Sequence, residues 1–202
     1  MSKTLILIFT RNPELGKCKT RLAKTVGNKN ALIIYKMLLE HTEKVVRQVQ
    51  VDKAVYYSVK IRENDLWDAT IYQKHQQNGA DLGIRMQNAF KKSFEAGYEK
   101  VLIVGSDLYD LKPKHITGAI QKLESNDVVI GPALDGGYYL LGMKKLHSHI
   151  FENKQWGTET VRADTLADLQ NKKVTQLETL NDIDVFEDVK KYDIFKPYFA
   201  QN

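Results

Sequence analysis

The sequence predicts an α/β protein with a mostly parallel central sheet covered by helices on both faces. Three observations predict it. Short apolar, β-branched runs alternate along the chain with stretches of helical periodicity. The runs are continuously apolar, as strands buried on both faces are. Two of them end beside glycine and a carboxylate. Val101 to Val104 leads into Gly105, Ser106 and Asp107, and Val128 to Ile130 leads through Gly131 and Pro132 to Asp135, Gly136 and Gly137. In open parallel sheets, ligands bind at the carboxyl ends of strands, where these carboxylates stand. Adjacent glycines also let a backbone approach a ligand closely.

The elements follow in order. Residues 4–9, TLILIF, predict a buried first strand, and 10–20 a polar loop. Asn30 to Gln50 predicts a long helix, because Leu32, Tyr35, Leu38, Leu39, Thr42, Val45, Val46 and Val49 recur at helical spacing. Residues 53–59 predict a second strand and 70–75 a third. From Leu82 to Phe94, Leu82, Met86, Ala89, Phe90 and Phe94 share one helical face. Residues 101–104 predict a strand, and 113–124 a helix with Pro113 in its first turn. Strands are expected at 127–130 and 138–142, a helix over 157–170, a last strand at 174–177 and a short helix at 184–191.

Bulk properties bound the function. At 202 residues the chain is long enough for one α/β domain with a sizeable core, and one domain over 1–202 is expected. With 30 basic and 25 acidic residues the net charge is +5, but the basic residues are interspersed among acidic ones. No basic block with aromatic interleaving marks a nucleic-acid surface, so no nucleic-acid partner is expected. The apolar runs are strand-sized, so no membrane span is expected. The run after Lys3 is too short for a secretory leader, and Arg11-Asn12-Pro13 is no cleavage site. One cysteine, Cys18, leaves no internal disulfide and no Cys-based zinc cluster. A cytoplasmic monomer or homodimer is the expectation.

The loop after the first strand, RNPELGKCKTRL at 11–22, is a third candidate region. It is neither a Walker A loop nor a GxGxxG fingerprint. It does offer Gly16 for a turn, then Lys17, Lys19, Thr20 and Arg21. Lysine brings a compact charge to phosphate, and arginine a planar bidentate donor. By spacing alone, a solvated basic loop capped by Thr20 is an equal alternative.

These segments together carry a resemblance. Gly-x-x-Lys-Thr-Arg-Leu at 16–22, Asp-Leu-Gly-x-Arg-Met at 81–86, Gly-Ser-Asp at 105–107, the Gly131–Gly142 block and Asp-Ile-Asp-x-x-Glu-Asp at 182–188 occur in this order. The chain resembles the bacterial GT-A-fold nucleotide-diphospho-sugar transferases, or glycosyltransferases. It is more distantly similar to the 2-phospho-lactate and molybdopterin guanylyltransferases. The resemblance runs from the first strand to about Asp188. It implies a GT-A, Rossmann-like three-layer fold, a nucleotide over the early strands, and Mg²⁺ or Mn²⁺ on a strand-end aspartate. It also implies that Gly79 and Gly83, with Gln76 and Gln77, lie near the base. One departure stands out. The family carries Cys-Pro after Gly-Ser-Asp, and here Leu108 and Tyr109 occupy those positions. Proline would stiffen the turn that aims the carboxylate.

The expected roles follow, each beside its plainer alternative. Asp107 and Asp135 are the candidate catalytic carboxylates, Asp107 as the metal ligand and Asp135 for sugar, acceptor or cation. Asp107 alternatively caps a turn, and Asp135 alternatively fixes the Gly136–Gly137 turn. Gly16, Lys19 and Arg21 are expected to hold phosphates. Gly136, Gly137 and Trp156 are expected at the substrate or acceptor, with an ordinary core tryptophan as the alternative. Asp182 is a second metal candidate, while Asp184 is expected to cap a helix with acidic Glu187 at its third position. Asp110 is expected to cap the turn before Pro113. His147 and His149 are expected at the surface. Ser106 lacks a nucleophile-elbow context, which argues against a serine hydrolase. The expected reaction is metal-dependent transfer of a sugar from a nucleotide-diphosphate sugar to a small-molecule acceptor. A nucleotidyltransferase using an NTP and a phosphorylated acceptor, and a degenerate nucleotide-binding protein, remain open.

Overall fold

The computed structural model describes residues 3–199. The expected domain over 1–202 therefore includes residues 1–2 and 200–202, which lie outside the described residues. Seven strands form one sheet: β1 (Thr4–Thr10), β2 (Asp52–Tyr57), β3 (Tyr72–Gln76), β4 (Lys100–Val104), β5 (Val128–Pro132), β6 (Tyr138–Met143) and β7 (Val174–Gln176), in the order β3-β2-β1-β4-β6-β5-β7. All pairings are parallel except those of β6, which runs antiparallel between β4 and β5. Helices α1 (Thr20–Arg47), α2 (Leu82–Glu95), α3 (Pro113–Lys122), α4 (Val161–Asp168) and α5 (Phe186–Val189) connect or flank the strands, with 3₁₀ turns at Ser148–Phe151 and Asp193–Tyr198.

The central strands obey the two-sided pattern, while the edge strands β3 and β7 are largely exposed or half-buried. Along β1, Ile6 and Ile8 face Leu39, Val46 and Ile116 on one side, and Leu5 and Leu7 face Met86, Phe90 and Leu169 on the other. Alternate side chains of an extended chain point to opposite faces, so two cores need a strand apolar at every position. A third cluster packs Leu22, Val26, Ile34 and Leu38 against Ile183, Val189 and Phe195. It ties the first half of α1 to the C-terminal segment.

Helix α4 spans only Val161–Asp168 of the expected 157–170, and two further helices differ more instructively. Helix α1 begins at Thr20, not Asn30, and is two helical pieces joined at Gly27, whose φ of 80° and ψ of 157° break the spiral. That break interrupts the periodicity, so the first piece reads as loop. Its N-cap is Lys19, with no side-chain cap, and Thr20 is already helical. The last helix is only four residues long and is capped differently from the expectation. Asp188 Oδ2 accepts from the backbone N–H of Val185 at 2.8 Å and of Asp184 at 2.9 Å. The cap is thus Val185, with Asp188 rather than Glu187 at the third position, and Asp184 is freed for other contacts.

Candidate functional site

Because β6 returns antiparallel, the turn that precedes it lies beside the carboxyl end of β4. A cleft of about 250 Å³ opens there, lined among others by Asp107, Asp135, Asp182, Gly137, Trp156 and Thr158. Three carboxylates from three separate segments share it. Their mutual repulsion is visible at Asp182. Partial burial, and then the negative charges of Asp135 and Asp107, push its carboxyl up to about 6.

Asp107 follows the end of β4. Its Oδ2 accepts from Lys19 Nζ at 2.8 Å, across 88 positions of sequence. The Lys19 side chain is only 8% exposed, and a second carboxylate, Asp184, lies 4.0 Å from its ammonium. Burial pulls the lysine down, but Asp107 and then Asp184 outweigh it, so its net shift is upward. The chain reaches this position through a left-handed backbone at Lys19, with φ 49° and ψ 44°. Such a conformation is uncommon for a non-glycine residue. Arg21 is exposed and pairs with Asp184 at 2.7 Å. The loop's turn is made by Gly16 at φ 72°, with Lys17 N–H donating to Glu14 O at 3.1 Å. The loop therefore places two cations on two different carboxylates. Asp184, expected as a cap, is an ion-pair partner instead.

Asp135 sits in the turn into β6. Its Oδ1 accepts from Gly137 N–H at 2.8 Å, so it fixes the Gly136–Gly137 turn while lining the cleft. Gly136 has φ 89°, and a β-carbon there would overlap the backbone of Glu159. Glycine is needed twice over: for the left-handed conformation and for the close approach of the 158–160 segment. Trp156 lies just before that segment. Its indole rests on Gly83 in the first turn of α2, where any β-carbon would overlap the ring.

Gly79 adopts φ 147° and its carbonyl accepts from Arg85 Nε at 2.9 Å. Gln77 spends its amide nitrogen on the carbonyls of Tyr56 at 2.9 Å and Thr10 at 3.2 Å, and Gln76 spends its own on Val59 O at 2.6 Å. These glutamines tie the end of β3 to the ends of β1 and β2 and to the segment after β2. Asp110 does not cap; it accepts from Tyr192 Oη. His147 is buried rather than at the surface, and burial holds its imidazole below the usual histidine range.

Sequence reasoning missed Tyr35 and Asn12. Tyr35 Oη accepts from Arg11 N–H at 2.9 Å and donates to Arg11 O at 3.1 Å, which anchors the start of the phosphate-loop candidate on α1. Asn12 bridges that start to Val59 N–H at 2.9 Å and Lys60 O at 2.8 Å. Neither carries a motif signal, since each acts on backbone far away in sequence.

The carboxylates are hard oxygen donors, suited to Mg²⁺ or Mn²⁺ rather than to softer metals. Among the described residues, no group of three or more His, Cys, Asp or Glu converges as a ready-made metal cage. Magnesium sites commonly use one or two carboxylates and complete the shell with substrate phosphates and water. Asp182 is raised by partial burial and then by the charges of Asp135 and Asp107, and that gathering of carboxylates fits a cation that arrives in that way.

Residues 41–158 match the family described as an uncharacterized protein conserved in bacteria, DUF2064. The chain belongs to this family. A crystal structure described as a candidate nucleotide-diphospho-sugar transferase from Desulfovibrio desulfuricans G20 is 33% identical, with a TM-score of 0.87 over 97% of this chain and 89% of that one. The kinship is thus with transferases. At 12% identity, 4-diphosphocytidyl-2C-methyl-D-erythritol synthase from Anaerococcus prevotii DSM 20548 shares the fold, with a TM-score of 0.64 over 96% of each chain. Glucosyl-3-phosphoglycerate synthase from Mycobacterium tuberculosis, solved with Mg²⁺ and uridine diphosphate, shares it at 10% identity and a TM-score of 0.55, over 90% of this chain and 70% of that one. These neighbours bear out the GT-A-like, Rossmann-like three-layer architecture. No curated protein matches the sequence. Among the described residues, no helix is long and apolar enough to cross a membrane.

Proposed function

We propose that the protein transfers a sugar from a nucleotide-diphosphate sugar to a small-molecule acceptor, with Mg²⁺ or Mn²⁺. The observation that carries the reading is the cleft itself: Asp107, Asp135 and Asp182 line one space with Trp156 beside it, and Lys19 reaches Asp107 from the loop after β1. The family relationship supports a nucleotide-sugar donor, and the Mg²⁺ and uridine diphosphate bound to one distant neighbour support a cation with a nucleotide. Asp107 and Asp182 would hold the cation, which when bound supplies charge for the departing nucleoside diphosphate. Lys19 and Arg21 neutralise the phosphates by moving from their carboxylate partners onto phosphate oxygens. Asp135 and the Gly136–Gly137 backbone hold sugar hydroxyls, and Trp156 covers the acceptor. Gly16 turns the loop, and Gly79 and Gly83 shape the wall toward the base.

A nucleotidyltransferase reading draws on the same loop, because Lys19 and Arg21 would serve a triphosphate equally well. Thermal unfolding with Mn²⁺ and either a panel of nucleotide-diphosphate sugars or nucleoside triphosphates separates the two. A ligand at about a hundred times its dissociation constant adds roughly 2.7 kcal/mol, or about 5–10 °C. A nucleotide-diphosphate sugar is expected to give the larger shift. A clear win for a triphosphate, with pyrophosphate released once a phosphorylated acceptor is added, would replace the glycosyltransferase reading. No shift with any nucleotide would favour a protein without turnover.

A further inference from the structure

A second cavity, of about 190 Å³, lies on the α1 face of the sheet and shares no lining residue with the carboxylate cleft. Its floor is apolar: Pro13, Leu39, Trp67 and the ring of Tyr57. Its rim carries three cations, Arg11, Lys36 and Arg62. Among the described residues, none of the three has a carboxylate within ion-pair distance. The nearby acids are mostly occupied. Asp65 takes Tyr57 Oη at 2.8 Å on one oxygen and Lys74 Nζ at 2.8 Å on the other. Glu14, close enough to feel Arg62, is paired with Lys17 at 2.9 Å. Of the two carboxylates lining the cavity, Asp65 is thus engaged and Glu40 opposes the cations.

Arg62 lines this cavity, and its Nε is buried with no hydrogen-bond partner among the described residues. A buried charged donor left unpaired is costly, and a guanidinium turned toward an anionic oxygen in the cavity would remove that cost. Size then limits the ligand. A cavity of about 150 Å³ lined by apolar side chains accepts one benzene ring. A whole nucleotide would extend well outside this space.

We propose that this cleft binds a single-ring aromatic anion, with the ring on the Pro13–Trp67 floor and the carboxylate or phosphate on Arg62. The cleft borders Arg11, so its occupant lies directly behind the loop that carries Lys19. The test is calorimetric titration of the full chain with benzoate, phenyl phosphate and neutral benzyl alcohol. At least one anion is expected to bind, with benzyl alcohol much weaker. Arg62→Met is expected to weaken that anion by roughly tenfold or more, the value of one charge-assisted hydrogen bond. The loop itself should survive, because Lys74 Nζ holds the Arg62 carbonyl rather than its side chain. Arg11→Met provides a second, independent loss if Arg62→Met fails to fold. Asp107→Asn and saturating uridine diphosphate are expected to leave the anion's affinity unchanged. Failure of both anions to bind overturns the proposal. So do equal binding of benzyl alcohol, undiminished binding in the folded Arg62 and Arg11 variants, and competition by the nucleotide, which would make the cleft part of the donor site.

Discussion

The turns after β4 and β5 share one design and put it to two uses. Each ends a buried strand with an aspartate beside glycine, and both aspartates line the same cleft. Asp107 gives its charge to Lys19, a partner far away in sequence that under the proposed function exchanges it for a phosphate. Asp135 gives one oxygen to its own turn, through Gly137 N–H. A carboxylate held by a removable partner is available for a charged ligand. A carboxylate held by its own backbone is a rigid part of the wall.

The sharpest test of this difference is Gly136→Ala. A left-handed residue with a β-carbon costs about 1–3 kcal/mol, and the overlap with Glu159 adds to that. Gly157 shares the positive φ, at 85°, but faces open space, so Gly157→Ala is expected to cost only the conformational part. Urea unfolding of the two variants isolates the clash, and equal losses would show that the 158–160 segment simply moves aside.

Next in size is Lys19→Met. If the lysine trades Asp107 for phosphate, the variant should lose roughly 1.5–3 kcal/mol of affinity for a nucleotide diphosphate and little for the nucleoside. The same variant should bind bare Mn²⁺ more tightly, since Asp107 no longer has an internal cation. Calorimetry reads all three, and parallel losses would mean that the loop has collapsed. Asp135→Ala, by contrast, should cost about 1 kcal/mol of folding stability through the lost turn bond. A variant as stable as the wild type would remove Asp135 from its wall role.

Asp182 supplies a pH test. Its folded-state value of about 6 lies above the ordinary 3.8. Between those values the folded chain keeps a proton that the unfolded chain has released. Asp182 therefore weakens the fold as pH rises through that window, and fully so above it. Asp182→Asn should raise the melting temperature at pH 7.5 and change it little at pH 4. An equal change at both would contradict the crowding of charge in the cleft. The smallest effect belongs to Arg21→Ala, whose exposed pair with Asp184 contributes under about 1 kcal/mol to stability.

What the sequence reveals here is local. Buried strands, the α2 and α3 helices and the two strand-end aspartates are legible because each rests on adjacent residues. The antiparallel course of β6 is not, because an apolar run such as Tyr138–Leu141 reads the same in either direction. The first ten residues of α1 are hidden by the break at Gly27 and by buried partners more than 150 positions later, such as Ile183 and Phe195. Asp184 carries a plausible capping pattern that Asp188 fulfils instead. The Lys19–Asp107 pair has no local signature at all. It exists only once β1 and β4 lie side by side.

The seat of Trp156 on Gly83 has a practical consequence for mutagenesis of the cleft. Position 83 reports on the indole rather than on itself. An alanine scan of the α2 start would record a lost activity there and credit it to the helix, when the displaced part is a loop more than seventy residues downstream. Trp156→Ala paired with Gly83→Ala tells the two apart, since the methyl group that harms the native chain loses its nearest obstacles once the ring is gone.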